Sequence, residues 1–182
     1  MLENLHQGGA VRKGGAIVPV PSGWKTRTID FGRGPRLATT IPWGDVSTAF
    51  HSTGIPDIEV YLAVPRGAHL AMVASRAFGW LLGSPWVRGV LQRRIDAQPA
   101  GPDAAGRAQG RSLLWGEVRD AAGQVRVSRL RGPEGYTLTA LASLHIVAKV
   151  LAGNAPVGFQ TPAKAYGPDL ALELDGVERT DD

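Results

Sequence analysis

Cysteine is absent from the 182 residues. That absence removes disulfides, thiolate metal sites and thiolate nucleophiles together, and it makes a reducing cytoplasm the expected compartment. Histidine is sparse: His6, His51, His69 and His145 share no metal-ligand spacing with one another or with carboxylates, so no metal site is expected. The longest apolar run, 138–151, is shorter than a bilayer span and is interrupted by His145 and Lys149. The opening MLENLHQGG lacks the charged and then apolar pattern of a secretory signal. Also missing are the dinucleotide turn G-x-G-x-x-G, the P-loop, H-E-x-x-H, G-x-S-x-G and the EF-hand loop. Gly32-Arg33-Gly34 approaches the first of these but lacks its third glycine. No single motif declares an enzyme.

What is present reads as an ordinary globular chain. Hydrophobic residues make up 43% and charged residues 20%, a balance that folds, and the length suits one domain spanning 1–182. The net charge is +4, and arginine supplies sixteen of the twenty Lys and Arg residues. These arginines are scattered from Arg12 to Arg179 without interleaved aromatics, so nucleic acid is not an expected partner.

Periodicity divides the chain. Leu2 and Leu5 suggest a short helix over 1–7, which begins without a cap. VRKGGAIVPV reads as a hairpin around Gly14-Gly15, 24–31 and 36–43 as strands, and 57–64 as a strand with Ile58, Val60 and Leu62 on one face. From Gly67 the period becomes helical, with Leu70, Val73, Ala77, Trp80 and Leu81 on one face. A second helix follows, with Trp86, Val87, Val90, Leu91 and Ile95 along one side. The Gly, Ala and Pro-rich segment 98–111 reads as a flexible loop. A hairpin around AAGQ follows, then a helix over 137–152 that is apolar around much of its circumference, then a helix opened by Thr161 and Pro162. Strands cluster early and helices are segregated. This order predicts an α+β fold, a mixed or antiparallel sheet covered mainly on one face by helices.

The least generic stretch is IPWGDVSTAFHSTGIPDIEVY, 41–61. Asp45 after Gly44 reads as an N-cap for a turn of helix over 45–50, closed by His51, Ser52 and Thr53. Two functions remain open for it. The turn is either a site, with hydroxyls and an imidazole facing a ligand and amides receiving an anion, or a capped turn whose Thr48 and Ser52 bond the local backbone.

The succession VPVP, then WKTRTIDFGRGPR, IPWGDVSTAFHSTGIPDIEVY and GFQTPAKAYGPDLALELDGVER resembles the C-terminal half of saccharopine dehydrogenase-like oxidoreductases, a group that includes trans-acting enoyl reductases. The likeness covers most of the chain and is weakest over 65–131. It implies the substrate-side and pairing domain of an NAD(P)-dependent oxidoreductase of lipid metabolism. NADP or NAD would be bound mainly by an N-terminal Rossmann domain absent from these residues, so the chain alone would be an inactive fragment or a separately encoded half. Expected partners are that Rossmann domain, a second copy in a homodimer, and a small-molecule or acyl substrate. The tail 155–182 is expected to pack on the missing domain. In this setting His51 would transfer a proton, imidazole being the side chain that titrates near neutrality. Ser52 and Asp45 would orient it, with Thr48, Thr53, Tyr61 and Arg27 on the substrate side. The alternative is a lipid or membrane-surface binding module without catalysis of its own, suggested by the Trp, Leu and Arg pattern of GWLLGSPWVRGVLQRRI.

Overall fold

The computed structural model describes residues 8–82, 84–97 and 101–182. The helix expected over 1–7, with Leu2 and Leu5, lies outside them, as does the start of the segment 98–111. The fold is α+β with antiparallel pairings, as the element order predicts. Where the length suggested one domain, contacts gather into two compact units. The first comprises Met1–Ile29 and Pro35–Ala100, and the second Asp30–Gly34 and Gly101–Asp182. Among the described residues no helix is long and apolar enough to cross a membrane.

In the first unit, β1 (Gly9–Lys13) and β2 (Ala16–Val20) form a hairpin in which Lys13 faces Ala16. Gly14 and Gly15 fill the two-residue turn with φ of 56° and 81°, the doubly left-handed geometry that matches strand twist and that glycine adopts without strain. β3 (Thr26–Asp30), β4 (Pro35–Thr40) and β5 (Tyr61–Ala63) form a second small sheet in that order. The strand expected over 57–64 is shortened to β5, because Ile58 bridges to Arg12 of β1 instead. Leu62, expected on the buried face, is 38% exposed. Between β4 and β5 lies α1 (Asp45–Thr53), and α2 (Arg66–Leu82) and α3 (Pro85–Asp96) follow. Val11, Ile29, Ala38, Ile41 and Val46 form the core, joined by buried Arg12, Thr39 and Thr40. The expected apolar faces of the last two helices are only partly covered: Val87 is half-buried, whereas Leu70, Trp86 and Val90 are exposed.

In the second unit, β6 (Arg111–Arg119) and β7 (Val125–Pro133) pair along their full length, and β8 (Glu178–Asp181) adds to the free edge of β7. Asp120 closes the turn through its Oδ1, which accepts from Gln124 N at 2.8 Å. Part of the expected loop 98–111 is helical, as α4 (Ala104–Gln109), because Asp103 caps Gly106 N at 2.7 Å and alanines fill the turn. α5 (Gly135–Leu151) is capped by Glu134, whose carboxylate accepts from Tyr136 N and Thr137 N. α6 (Pro162–Tyr166) starts on the expected Thr161 cap and Pro162. The tail is built into this unit, since Leu170 and Leu174 are buried and β8 is paired.

Candidate functional site

Helix α1 starts one residue earlier than Asp45 suggested. Gly44 holds the cap position and its carbonyl accepts from Ser47 N and Thr48 N, both at 2.9 Å, while Trp43 O takes Val46 N at 3.1 Å. Asp45 therefore stands in the first turn and makes no capping bond, although its charge suits the positive helix end. The helix runs past Phe50 to Thr53 and stops at Gly54, whose φ of 72° turns its amide back to Phe50 O. The hydroxyls follow the helix. Thr48 Oγ1 donates to Gly44 O at 3.2 Å, Ser52 Oγ to Thr48 O at 3.2 Å and Thr53 Oγ1 to Ala49 O at 2.7 Å.

Helix geometry sets the distances between the candidate groups. Asp45 and His51 lie about 9 Å apart along the axis and about 120° apart around it. Asp45 and Ser52 share a face but are separated by roughly 10 Å of rise, and the successive residues His51 and Ser52 point about 100° apart. The helix does not bring Asp45, His51 and Ser52 into a proton relay. What does sit against His51 is Phe50, with ring centroids 5.7 Å apart at 69°. His51 is exposed, and among the described residues nothing hydrogen-bonds to its ring.

The helix is held in place by a residue that the sequence pattern did not single out. Arg12 is only 6% exposed. Its Nε donates to Val46 O at 2.8 Å, its Nη1 to Gly15 O at 2.6 Å, and its Nη2 reaches Ser47 O at 3.5 Å. The guanidinium also lies 4.3 Å from the centroid of Phe50. Carbonyls and a ring face, with no carboxylate among the described residues, hold this buried cation. The series Arg12, Phe50, His51 thus fixes the end of α1 that carries the imidazole.

Arg27 and Tyr61 do meet, through Lys25 and Glu59. Tyr61 Oη donates to Glu59 Oε2 at 2.6 Å, Lys25 Nζ pairs with Glu59 Oε1, and Arg27 lies 6.0 Å from the Tyr61 ring. Lys25 also sits 4.4 Å from the Trp24 ring. Partial burial would push the Glu59 carboxyl up. The hydrogen bonds from Lys25 and Tyr61, with the charges of Lys25 and Arg27, outweigh it and hold the carboxyl below its ordinary 4.5.

A carboxyl lowered on folding adds stability that is present above its ordinary value and is lost as pH falls through the folded value. Glu59→Gln should therefore melt earlier than wild type at pH 7, by the equivalent of under about 1 kcal/mol for a half-exposed pair. The two melting temperatures should converge as pH drops below 4.5. Thermal melts from pH 7 downward check this, and a constant gap would assign the effect to something other than ionisation.

In the second unit, Glu173 accepts from His145 Nε2 at 2.8 Å and Lys149 Nζ at 2.7 Å, and Tyr166 lies 5.5 Å from Lys149. The hydrogen bonds from Lys149 and His145 hold the Glu173 carboxyl below its ordinary range. A cleft of about 260 Å³ lies between Arg107, Arg111, Pro133 and Thr137. Its two guanidinium groups donate to the carbonyls of Pro102, Ala108 and Gly110, and the adjacent α5 amides are taken by Glu134. Among the described residues no group of three or more His, Asp or Glu could hold a metal ion. No protein-family model matches this chain, and no curated protein matches it either.

Proposed function

We propose that the chain is the substrate-side domain of an NAD(P)-dependent oxidoreductase of the saccharopine dehydrogenase-like kind, acting on an enoyl or acyl-lipid substrate in the cytoplasm. The observation that carries this reading is the end of α1. An exposed imidazole stands there without a hydrogen-bond partner among the described residues, on a helix anchored through Phe50 by the buried Arg12. An anchored helix end holding a free ring is suited to exchanging a proton with a bound oxygen. Arg27, Tyr61, Lys25 and Glu59 add a polar cluster able to bind a carbonyl or carboxylate. The α+β fold agrees with such a domain.

Neither the α1 nor the α5 N-terminus is suited to the pyrophosphate of a dinucleotide. A pyrophosphate seeks a helix N-terminus with free amides. α1 carries Asp45 in its first turn, and the amides of α5 are occupied by the Glu134 carboxylate. The cofactor accordingly belongs, in this proposal, to a Rossmann domain outside these residues. The chain alone should show no micromolar binding in an NADPH fluorescence titration.

Combined with a separately expressed Rossmann domain of this oxidoreductase class, the chain should reduce a trans-2-enoyl thioester with NADPH. His51→Ala should lower turnover about a hundredfold and leave the melting temperature in place. A His51→Ala variant that melts early yet keeps full turnover in its folded fraction would make the imidazole structural. Tight NADPH binding by the isolated chain would overturn the partition of roles.

A further inference from the structure

The cleft of the second unit is lined by Arg107, Ala108, Arg111, Pro133, Thr137 and Gly176. Its two guanidinium groups are fastened by the backbone around them. Arg107 Nη1 donates to Pro102 O at 2.7 Å, and Arg111 Nη1 donates to Ala108 O at 2.9 Å and to Gly110 O at 2.6 Å. A guanidinium carries five N–H groups, so these bonds leave most donors of both side chains unused. No carboxylate among the described residues pairs with either one. Thr137 is half-buried on the same cleft. Thr139 and Ser143 of the same helix return their hydroxyls to the carbonyl four residues back. The Thr137 hydroxyl has no hydrogen bond among the described residues.

Three donor groups without acceptors thus line one cleft, and their number selects the anion. A carboxylate has two oxygens, which a single guanidinium fork satisfies. A phosphate monoester presents three oxygens and a charge of about −1.5 to −2 at neutral pH, which matches two cations and a hydroxyl. The nearby acids are engaged elsewhere: Asp103 accepts from Gly106 N, and Glu134 from Tyr136 N and Thr137 N. The cleft volume of about 260 Å³ lies below the roughly 300–1,000 Å³ of pockets that enclose drug-sized ligands. It suits a small ester and is too small for a dinucleotide. Ala108, Pro133 and Gly176 offer uncharged wall to the carbon chain of such an ester.

We propose that this cleft binds the phosphate group of a small, soluble phosphate monoester. Arg107 and Arg111 grip its oxygens, and Thr137 donates its hydroxyl. Arginines already held by carbonyls lose less freedom when they take up a ligand than arginines loose in solvent, and their planar forks fit phosphate geometry. The site uses no residue of α1 or of the cluster around Glu59, so it stands independently of the oxidoreductase reading.

Titration of the whole chain with glycerol 3-phosphate, followed by amide NMR shifts, tests this. The expected result is saturable binding with a Kd of about 1 mM or tighter at low salt, with shifts at Ala108, Arg111 and Thr137. Acetate and glycerol should bind at least about tenfold more weakly. Arg107→Gln and Arg111→Gln should each raise the Kd about tenfold or more, and Thr137→Val about threefold or more. Because the Thr137 hydroxyl holds nothing in the fold, Thr137→Val should keep the wild-type melting temperature, which separates lost binding from lost structure. Phosphatidylcholine vesicles containing phosphatidic acid should not carry the chain down on centrifugation. Co-sedimentation that Thr137→Val abolishes would assign the cleft to a lipid headgroup and overturn the soluble ligand. No shifts up to about 10 mM ester, acetate binding as tightly as the ester, or wild-type binding by all three variants would overturn the site itself.

Discussion

Arg12→Met should lower the stability of the first unit by about 3 kcal/mol, the largest single-residue effect expected in this protein. The side chain makes two short charge-assisted hydrogen bonds to carbonyls, and each such bond contributes about 1.5–3 kcal/mol. Methionine fills similar volume and removes the cost of burying a charge, which offsets part of the loss. It cannot reach both Val46 O and Gly15 O, so α1 keeps only the buried Val46 as a firm attachment. Arg12→Lys separates charge from geometry. An ammonium keeps the charge but lacks the planar fork, so it should recover less than half of the difference. Urea titration followed by far-UV circular dichroism measures both variants. A loss under about 1 kcal/mol for Arg12→Met would mean that the carbonyls are satisfied without the guanidinium.

Gly110→Val should cost nearly as much in the second unit, about 3 kcal/mol. The backbone there is ordinary, with φ of −62°, so the effect is steric rather than conformational. A Cβ at this position would lie 2.7 Å from Glu134 Cγ, 2.9 Å from Glu134 Cβ and 2.9 Å from Gly106 O. A side chain can swing away, but the Gly106 carbonyl and the Glu134 Cβ are set by the backbone. Moving Glu134 also withdraws the cap from Tyr136 N and Thr137 N, and a lost cap alone costs about 1 kcal/mol. Glu134→Ala should reproduce that smaller part. Thermal melts of the two variants and their double mutant check the pair. The double mutant should be less than additive, because one change removes what the other displaces.

The features legible in the sequence were those with local causes. Gly14-Gly15, the AAGQ turn and Thr161-Pro162 each impose their geometry on two to four residues, and each stands where expected. Arg12 was hidden because strand alternation treats arginine as an outward residue. Nothing local announces that the Val46 carbonyl, thirty-four positions away, joins the nearby Gly15 carbonyl on it. The α1 boundaries slipped because serine and threonine favour caps and turns, yet here they bond back along the helix and prolong it. Arg27 and Tyr61 were legible as candidates, whereas their link through Glu59 depends on neighbouring strands of one sheet. The circumference of α5 read correctly as apolar. Periodicity cannot say which of two apolar faces turns inward when the charged groups find a partner inside.

The joining of β8 to the edge of β7 has a consequence in time. The β6–β7 hairpin closes through a short turn and needs only neighbouring residues, so it can form within microseconds. β8 must return across fifty-one positions to align Thr180 with Arg129, and a closure of that length is slower and forms late. A strand that arrives last and lies at an edge is also the first to detach. The β8 amides should exchange with deuterium well before those shared by β6 and β7. Each such opening briefly bares the edge of β7, the moment at which this unit is most exposed to proteolysis and to wrong strand pairing.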